Sequence, residues 1–173
     1  MARYAKILKC DIANGTGFRV TVFLTGCPIH CPGCFNKSIW SPSAGTLLNS
    51  ATLNKIRAEL KKSCHRGISI LGGEPLAPWN LEATRLLCRE AWKLGKDAWV
   101  WTGYTFENLD AAQRRALDFC DYLIDGPFIE EIKDTSLKWR GSRNQRILKH
   151  IDGDTWDEES DKESDNRRLE KTQ

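Results

Sequence analysis

Three cysteines stand within eight residues of the stretch TGCPIHCPGCFN, residues 25–36: Cys27, Cys31 and Cys34, in the pattern C-x3-C-x2-C. Thiolates at this density bind metal or exchange electrons, and their number bears on which. Four would close a tetrahedral zinc site and two would make a thiol–disulfide pair. Three can hold an iron–sulfur cluster with one iron left without a protein ligand, open to a small molecule as the vacant position of a catalytic zinc is. The ferredoxin run has shorter spacings and four ligands, so this is not that motif. Three other readings stay open on the cysteines alone. They are zinc with His30 or a distant cysteine as fourth ligand, a redox pair of Cys31 and Cys34 in C-P-G-C form, and three structural cysteines. Pro28 and Pro32 stiffen the loop, while Gly26 and Gly33 allow close backbone approach.

A second stretch with chemical character is GGEP, residues 72–75. Gly72 and Gly73 permit a ligand to come near the backbone, and Glu74 offers a carboxylate for an ammonium group. Asn36 is expected to cap or pin the cysteine loop. His30 reads as a loop residue. Tyr104 and Asp125 are candidate ribose or partner contacts. Arg140, Arg143 and Arg146 in WRGSRNQR are expected to shape a cosubstrate or partner site. Asn14, Gly15, Gly17 and Arg19 give a weaker loop signal. Trp99 and Trp101 alternate on one strand, share a face and read as packing. Of the remaining cysteines, Cys10, Cys64 and Cys120 are scattered, and Cys88 falls in the apolar stripe of a helix.

The elements that must position these residues follow from periodicity. Strands are expected over 19–24, 67–71, 97–102, 121–125 and 146–149, and helices over 50–63, 80–95 and 106–119. The second helix starts on Asn80 as its cap and stops at Gly95. Strands alternating with helices imply βαβ crossovers and a parallel sheet. With four or five units the chain cannot close an eight-stranded barrel. An incomplete, open (β/α) barrel or a wound α/β sheet is the expected fold, in one domain over residues 1–150. In either architecture, chemistry gathers at the carboxyl ends of the strands. The cysteine loop, GGEP, TGY (102–104) and DGPF (125–128) each follow a strand.

Composition bounds the rest. The chain has 173 residues, 40% apolar and 28% charged, with a formal net charge of +3. No window is apolar enough to span a membrane, the N-terminus lacks the apolar core of a secretory signal, and seven cysteines make an odd number. A cytoplasmic location with reduced thiols is the expectation. Residues 151–173 carry nine acidic and four basic side chains and read as a charged, flexible C-terminal tail, leaving +8 on the body. That positive body suits nucleic acid or an acidic protein partner, and charge alone does not choose.

The order of NGTGFR (14–19), FLTGCPIHCPGCFNKSIW (23–40), GGEPLAPWN (72–80), VWTGY (100–104), DGPF (125–128) and WRGSRNQRI (139–147) resembles the radical S-adenosylmethionine superfamily. Within it, the chain is similar to the glycyl-radical activases of anaerobic ribonucleoside-triphosphate reductases. The resemblance runs over residues 10–149. It implies an open barrel of radical SAM type and a [4Fe–4S] cluster on Cys27, Cys31 and Cys34. It also implies S-adenosyl-L-methionine as cosubstrate, with Gly72, Gly73 and Glu74 at its methionyl amino group. Many superfamily members place an aromatic residue beside the adenine, just before the last cysteine. Here Gly33 stands there and Phe35 follows Cys34, the C-P-G-C-aromatic form common among reductase activases. Gly33, Phe35 and Asn36 are therefore carried as cofactor-side residues. The implied partners are the glycyl-radical subunit of the reductase and a reduced flavodoxin or ferredoxin as electron donor, with no membrane and no nucleic acid. An activase of a pyruvate formate-lyase-type enzyme, or a zinc-binding nucleic-acid module of another class, are the alternatives.

Overall fold

The structure is a computed structural model and describes residues 1–159. A single eight-stranded sheet runs through it. Its strands are β1 (Arg3–Asp11), β2 (Phe18–Leu24), β3 (Thr46–Leu47), β4 (His65–Gly72), β5 (Asp97–Trp101), β6 (Tyr122–Asp125), β7 (Arg146–Asp152) and β8 (Thr155–Glu158). Their order across the sheet is β3-β1-β2-β4-β5-β6-β7-β8. β2, β4, β5 and β6 are mutually parallel. The flanks are antiparallel: β1 against β2 and β3 on one side, β7 against β6 and β8 on the other. The parallel sheet expected from the strand–helix alternation is thus the centre of a mixed sheet. Strand β1, RYAKILKCD, carries lysines and half-exposed positions, so it lacks the continuous apolar run that marks the buried strands.

Helices α1 (Ser50–Leu60), α2 (Leu81–Trp92) and α3 (Ala111–Ala116) cover one face. Ile56 and Leu60 of α1, Leu87, Cys88 and Ala91 of α2, and Ala116 of α3 pack on Val20, Val22, Ile68, Ile70, Ala98 and Val100 of the strands. The period-two alternation then turns Trp99 and Trp101 to the opposite face, where they join Tyr122, Ile124, Ile147 and Trp139. Trp99 stacks on Tyr122 at 4.4 Å between ring centroids and is 1% exposed, so its role is packing.

Two expected helices differ from the sequence reading. The one placed over 106–119 is broken into a 3-10 turn (Phe106–Asn108) and the short α3, because Asp110 forms a capping box with Gln113 and starts a helix of its own. In α2, Asn80 is the N-cap residue, yet its side chain makes no capping bond. It serves the site described below. Regular structure also continues past residue 150, through the β7–β8 hairpin to Glu158. Cross-strand pairing there, with Trp156 stacked on His150 at 4.6 Å, overrides the charged composition. The remainder of the expected tail, residues 160–173, lies outside the described residues. Among the described residues, no helix is long and apolar enough to cross a membrane.

Candidate functional site

The carboxyl ends of β2, β4, β5 and β6 bring four loops together. After β2 come Cys27, Cys31 and Cys34, all three unpaired and half-buried. The loop is tied at its start by Gly26 N–H to the Ile39 carbonyl (2.8 Å) and Cys27 N–H to the Trp40 carbonyl (2.9 Å). It turns through left-handed backbone at His30 (φ 53) and Gly33 (φ 69). The ring of His30 stacks on Trp40 at 4.3 Å between centroids. Cys27, Pro28, His30, Trp40, Pro42 and Trp79 border an apolar groove of about 370 Å³.

Backbone amides are directed at the sulfurs. Asn36 N–H donates to Cys34 Sγ at 3.4 Å. The Cys27 thiol is pushed up by burial, against the amides of His30 and Ile29, which favour its thiolate, while Glu74 raises it further. The Cys31 thiol is likewise raised by burial, opposed by the Phe128 amide. Thiolates supported by N–H donors are the ligand environment of iron–sulfur clusters, and metal binding supplies the deprotonation that burial resists. The other cysteines stay away. Cys10 lies near the end of the antiparallel β1, Cys64 and Cys120 precede β4 and β6, and Cys88 is buried in α2. Among the described residues, no three His, Cys, Asp or Glu side chains are grouped to hold one metal ion. A cubane asks for something different, one thiolate for each of three irons. The donor set fits such a cluster.

The GGE segment after β4 is stitched to the root of the cysteine loop. Gly73 N–H donates to the Leu24 carbonyl and Glu74 N–H to the Gly26 carbonyl, both at 2.8 Å. The sequence reading explained the two glycines by approach of a ligand; the structure shows approach of another backbone. A Cβ on Gly72 (φ +117) would stand 2.6 Å from the Leu24 carbonyl oxygen, and one on Gly73 would stand 2.5 Å from that of Gly26. Either would force the two loops apart.

Glu74 itself is 1% exposed. Its Oε1 accepts from Leu76 N–H and Thr102 Oγ1–H, and its Oε2 from Gly103 N–H, each at 2.8 Å. The carboxylate therefore ties the β4 loop to the end of β5. No described side-chain cation pairs with it. Burial raises its pKa to about 7, against the pull of its three donors. The charge of Glu74 in turn helps to raise the Tyr104 phenol, after burial and ahead of Cys27, which places Tyr104 beside both.

Asn36, expected to pin the loop, donates from Nδ2 to the Gly72 carbonyl at 3.3 Å. Gly33 lies under the Glu130 carboxylate, and Phe35 is fully exposed at the rim. Three residues of this edge were missed as site residues. Asn80, buried, donates from Nδ2 to the carbonyls of Thr25 (3.0 Å) and Glu74 (2.9 Å), so it clamps both loops. Its position inside GGEPLAPWN was the available signal. Thr102 had the signal of the TGY strand end. Glu130 had none, since only tertiary structure brings it to the cysteine loop.

Other residues singled out in the sequence do not join the site. Asn14, Gly15, Gly17 and Arg19 lie at the opposite end of β2, about 20 Å away for a seven-residue strand. There Arg19, fully buried, donates to Ser69 Oγ (2.7 Å) and pairs with Asp97, with Trp99 beneath it at 5.4 Å. Asp125 is also fully buried, accepts from Phe106 N–H, and is bound by Arg146, which reaches Glu107 as well. Both are spent on holding β6 and β7. Ser142, Asn144 and Gln145 of the RGSRNQ stretch fix the segment after β6, as developed below.

Comparison with known proteins agrees with this arrangement. The profile of the 4Fe-4S single cluster domain family matches residues 13–148. An anaerobic ribonucleoside-triphosphate reductase-activating protein of Salmonella typhimurium is 43% identical over 153 residues, covering 86% of this chain and 99% of its own. Its namesake in Escherichia coli (strain K12) is 42% identical over 152 residues, covering 86% of this chain and 98% of its own. One from Enterobacteria phage T4 is 40% identical over 154 residues, with 87% and 96% covered.

Proposed function

Because the chain belongs to the 4Fe-4S single cluster domain family, and within it to the anaerobic ribonucleoside-triphosphate reductase-activating proteins, we propose that it generates the glycyl radical of such a reductase. The family match supports the cluster reading over the zinc reading that the cysteines left open. Cys27, Cys31 and Cys34 would hold the [4Fe–4S] cluster, and three ligands for four irons would leave a place for S-adenosyl-L-methionine. When bound, cluster and cosubstrate would supply the hard chemistry: one-electron reduction from a reduced flavodoxin or ferredoxin, splitting of the sulfonium into methionine and a 5′-deoxyadenosyl radical, and removal of a hydrogen atom from a glycine Cα of the partner to leave 5′-deoxyadenosine.

The chain's own residues bind, orient and shield. The observation that carries the reading is a buried carboxylate without a cationic partner, Glu74, fixed beside three amide-supported cysteines on the neighbouring loop. Burying a lone carboxylate is costly, and the methionyl ammonium of the cosubstrate is the missing counter-charge. Thr102 and Gly103 keep that carboxylate aimed, while Asn36 and Asn80 keep the cysteine loop and the GGE turn in one register. Gly33 and Phe35 stand on the adenine side. We read the sheet, with four parallel central strands and its site at their carboxyl ends, as the incomplete open (β/α) barrel of the radical SAM superfamily.

The test is anaerobic. Wild-type protein reconstituted with iron and sulfide is expected to hold about four irons, and Cys34→Ala to lose most of them. Reduced wild type should then release 5′-deoxyadenosine and raise a glycyl signal on an anaerobic ribonucleotide reductase in electron paramagnetic resonance. A signal on a pyruvate formate-lyase-type enzyme and none on the reductase would overturn the substrate assignment.

A further inference from the structure

We infer that Glu130 sets the reduction potential of the cluster carried by the cysteine loop, an inference that rests on the cluster reading above. Glu130 opens the 3-10 turn Glu130–Ile132, beyond the DGPF stretch that follows β6. Its carboxylate lies directly over Gly33. The three atoms nearest a Cβ built at that glycine are its Cδ, Oε2 and Oε1, the last two at 2.5 and 2.7 Å. Gly33 stands between Cys31 and Cys34, so a negative charge is seated on the segment that presents two of the three cluster ligands.

The placement is enforced by the RGSRNQ stretch. Asn144 Nδ2 donates to the Pro127 carbonyl (2.7 Å), and Gln145 Nε2 to the Gly126 carbonyl (3.0 Å). Ile129 N–H donates to Ser142 Oγ (3.1 Å), and Arg143 N–H to the Ile132 carbonyl (3.1 Å). Four bonds thus hold the backbone on both sides of Glu130. This gives the polar residues of RGSRNQ a job: they are positioning residues for the segment that covers the cysteine loop.

The sign of the effect follows from charge. Reduction adds an electron, and a neighbouring carboxylate disfavours the more negative state, which lowers the potential. The same segment also acts in the opposite sense, since the Phe128 amide is directed at Cys31 Sγ and hydrogen bonds to the sulfurs favour reduction. Glu130 is exposed, so water weakens its field. Its removal is expected to raise the reduced-to-oxidised ratio at a fixed applied potential roughly tenfold, or about 59 mV for one electron.

Anaerobic redox titration of the reconstituted full chain, read by electron paramagnetic resonance, tests this on wild type, Glu130→Gln and Glu131→Gln. Glu131→Gln removes the same charge from the adjacent residue, whose atoms are not among the three nearest a Cβ at Gly33. Iron and sulfide contents should be equal in all three. The midpoint should move to more positive potential in Glu130→Gln and stay put in Glu131→Gln. An unmoved midpoint in a fully loaded Glu130→Gln, or an equal shift in Glu131→Gln, overturns the inference and leaves the cluster intact. A Glu130→Gln protein that loses iron also overturns it, by making the residue structural. A wild type that takes up neither iron nor sulfide overturns the cluster reading and this inference together.

Discussion

Replacing Glu74 by glutamine removes a charge that the fold tolerates without a counter-ion, and the consequence for stability can be worked out. The side chain is buried, and its carboxyl is raised from 4.5 to about 7, with desolvation as the largest cause. Between those two values the folded chain holds a proton that the unfolded chain has released. The wild type therefore loses stability as pH rises from about 4.5 to about 7, and loses no more from this group above that. At 1.36 kcal/mol per unit, the whole loss is roughly 3 kcal/mol. Glutamine is neutral throughout and carries no such dependence. It has its own cost: only one acceptor oxygen remains, and an amide NH2 turned toward Gly103 N–H leaves that donor unpaired, about 1–3 kcal/mol at every pH. The two contributions separate in a pH series. Urea unfolding of both proteins from pH 4.5 to 8, followed by tryptophan fluorescence, should show the variant less stable at the acid end. The wild type should lose that lead as pH rises. Parallel profiles would refute the reasoning, since they would mean that the carboxylate is solvated or already neutralised within the fold.

Other perturbations test other parts of the site and its support. Gly73→Ala should lower the melting temperature and the iron content together, because its Cβ has no room beside the Gly26 backbone; the cost should exceed about 2 kcal/mol. Asp97→Ala strands the fully buried Arg19 and should cost about 3–5 kcal/mol in a urea melt. Arg66→Ala, which removes the half-exposed second partner of the same aspartate, should cost less than about 1 kcal/mol. Thr102→Val takes one of three donors from Glu74. It should move the pH-dependent stability loss to higher pH, visible as a later upper inflection in the same titration.

The sequence made the centre of this molecule readable and its margins obscure. β2, β4 and β5 are apolar runs that end in glycine, cysteine or threonine, so their carboxyl edge could be placed before any coordinates. β8, at the sheet edge, and β1, covered on its outer side only by the two-residue β3, could not, because such strands show water one face and carry charges that resemble loops. The helix over 106–119 was overdrawn: Leu109 and Asp110 obey periodicity, but the capping box at Asp110 is a local bond that periodicity does not sense. At the site, the cysteine spacing and GGE were legible as chemistry. The reason for the two glycines was not, since it lies in the distant backbone of Leu24 and Gly26. Asn80 was read as a helix cap on statistics, and its two carbonyl acceptors come from separate loops. Glu130 could be found only by folding the chain.

The paired amide-to-carbonyl bonds from Gly73 and Glu74 to Leu24 and Gly26 carry one more implication. They continue the hydrogen bonding between β2 and β4 past the ends of the strands, so the cysteine turn and the GGE turn are held at about the separation of neighbouring strands, roughly 4.8 Å. Rotamers do not set it and solvent cannot relax it. Side chains around the mouth can change without altering that separation, as instruments can be swapped on adjacent slats of one bench.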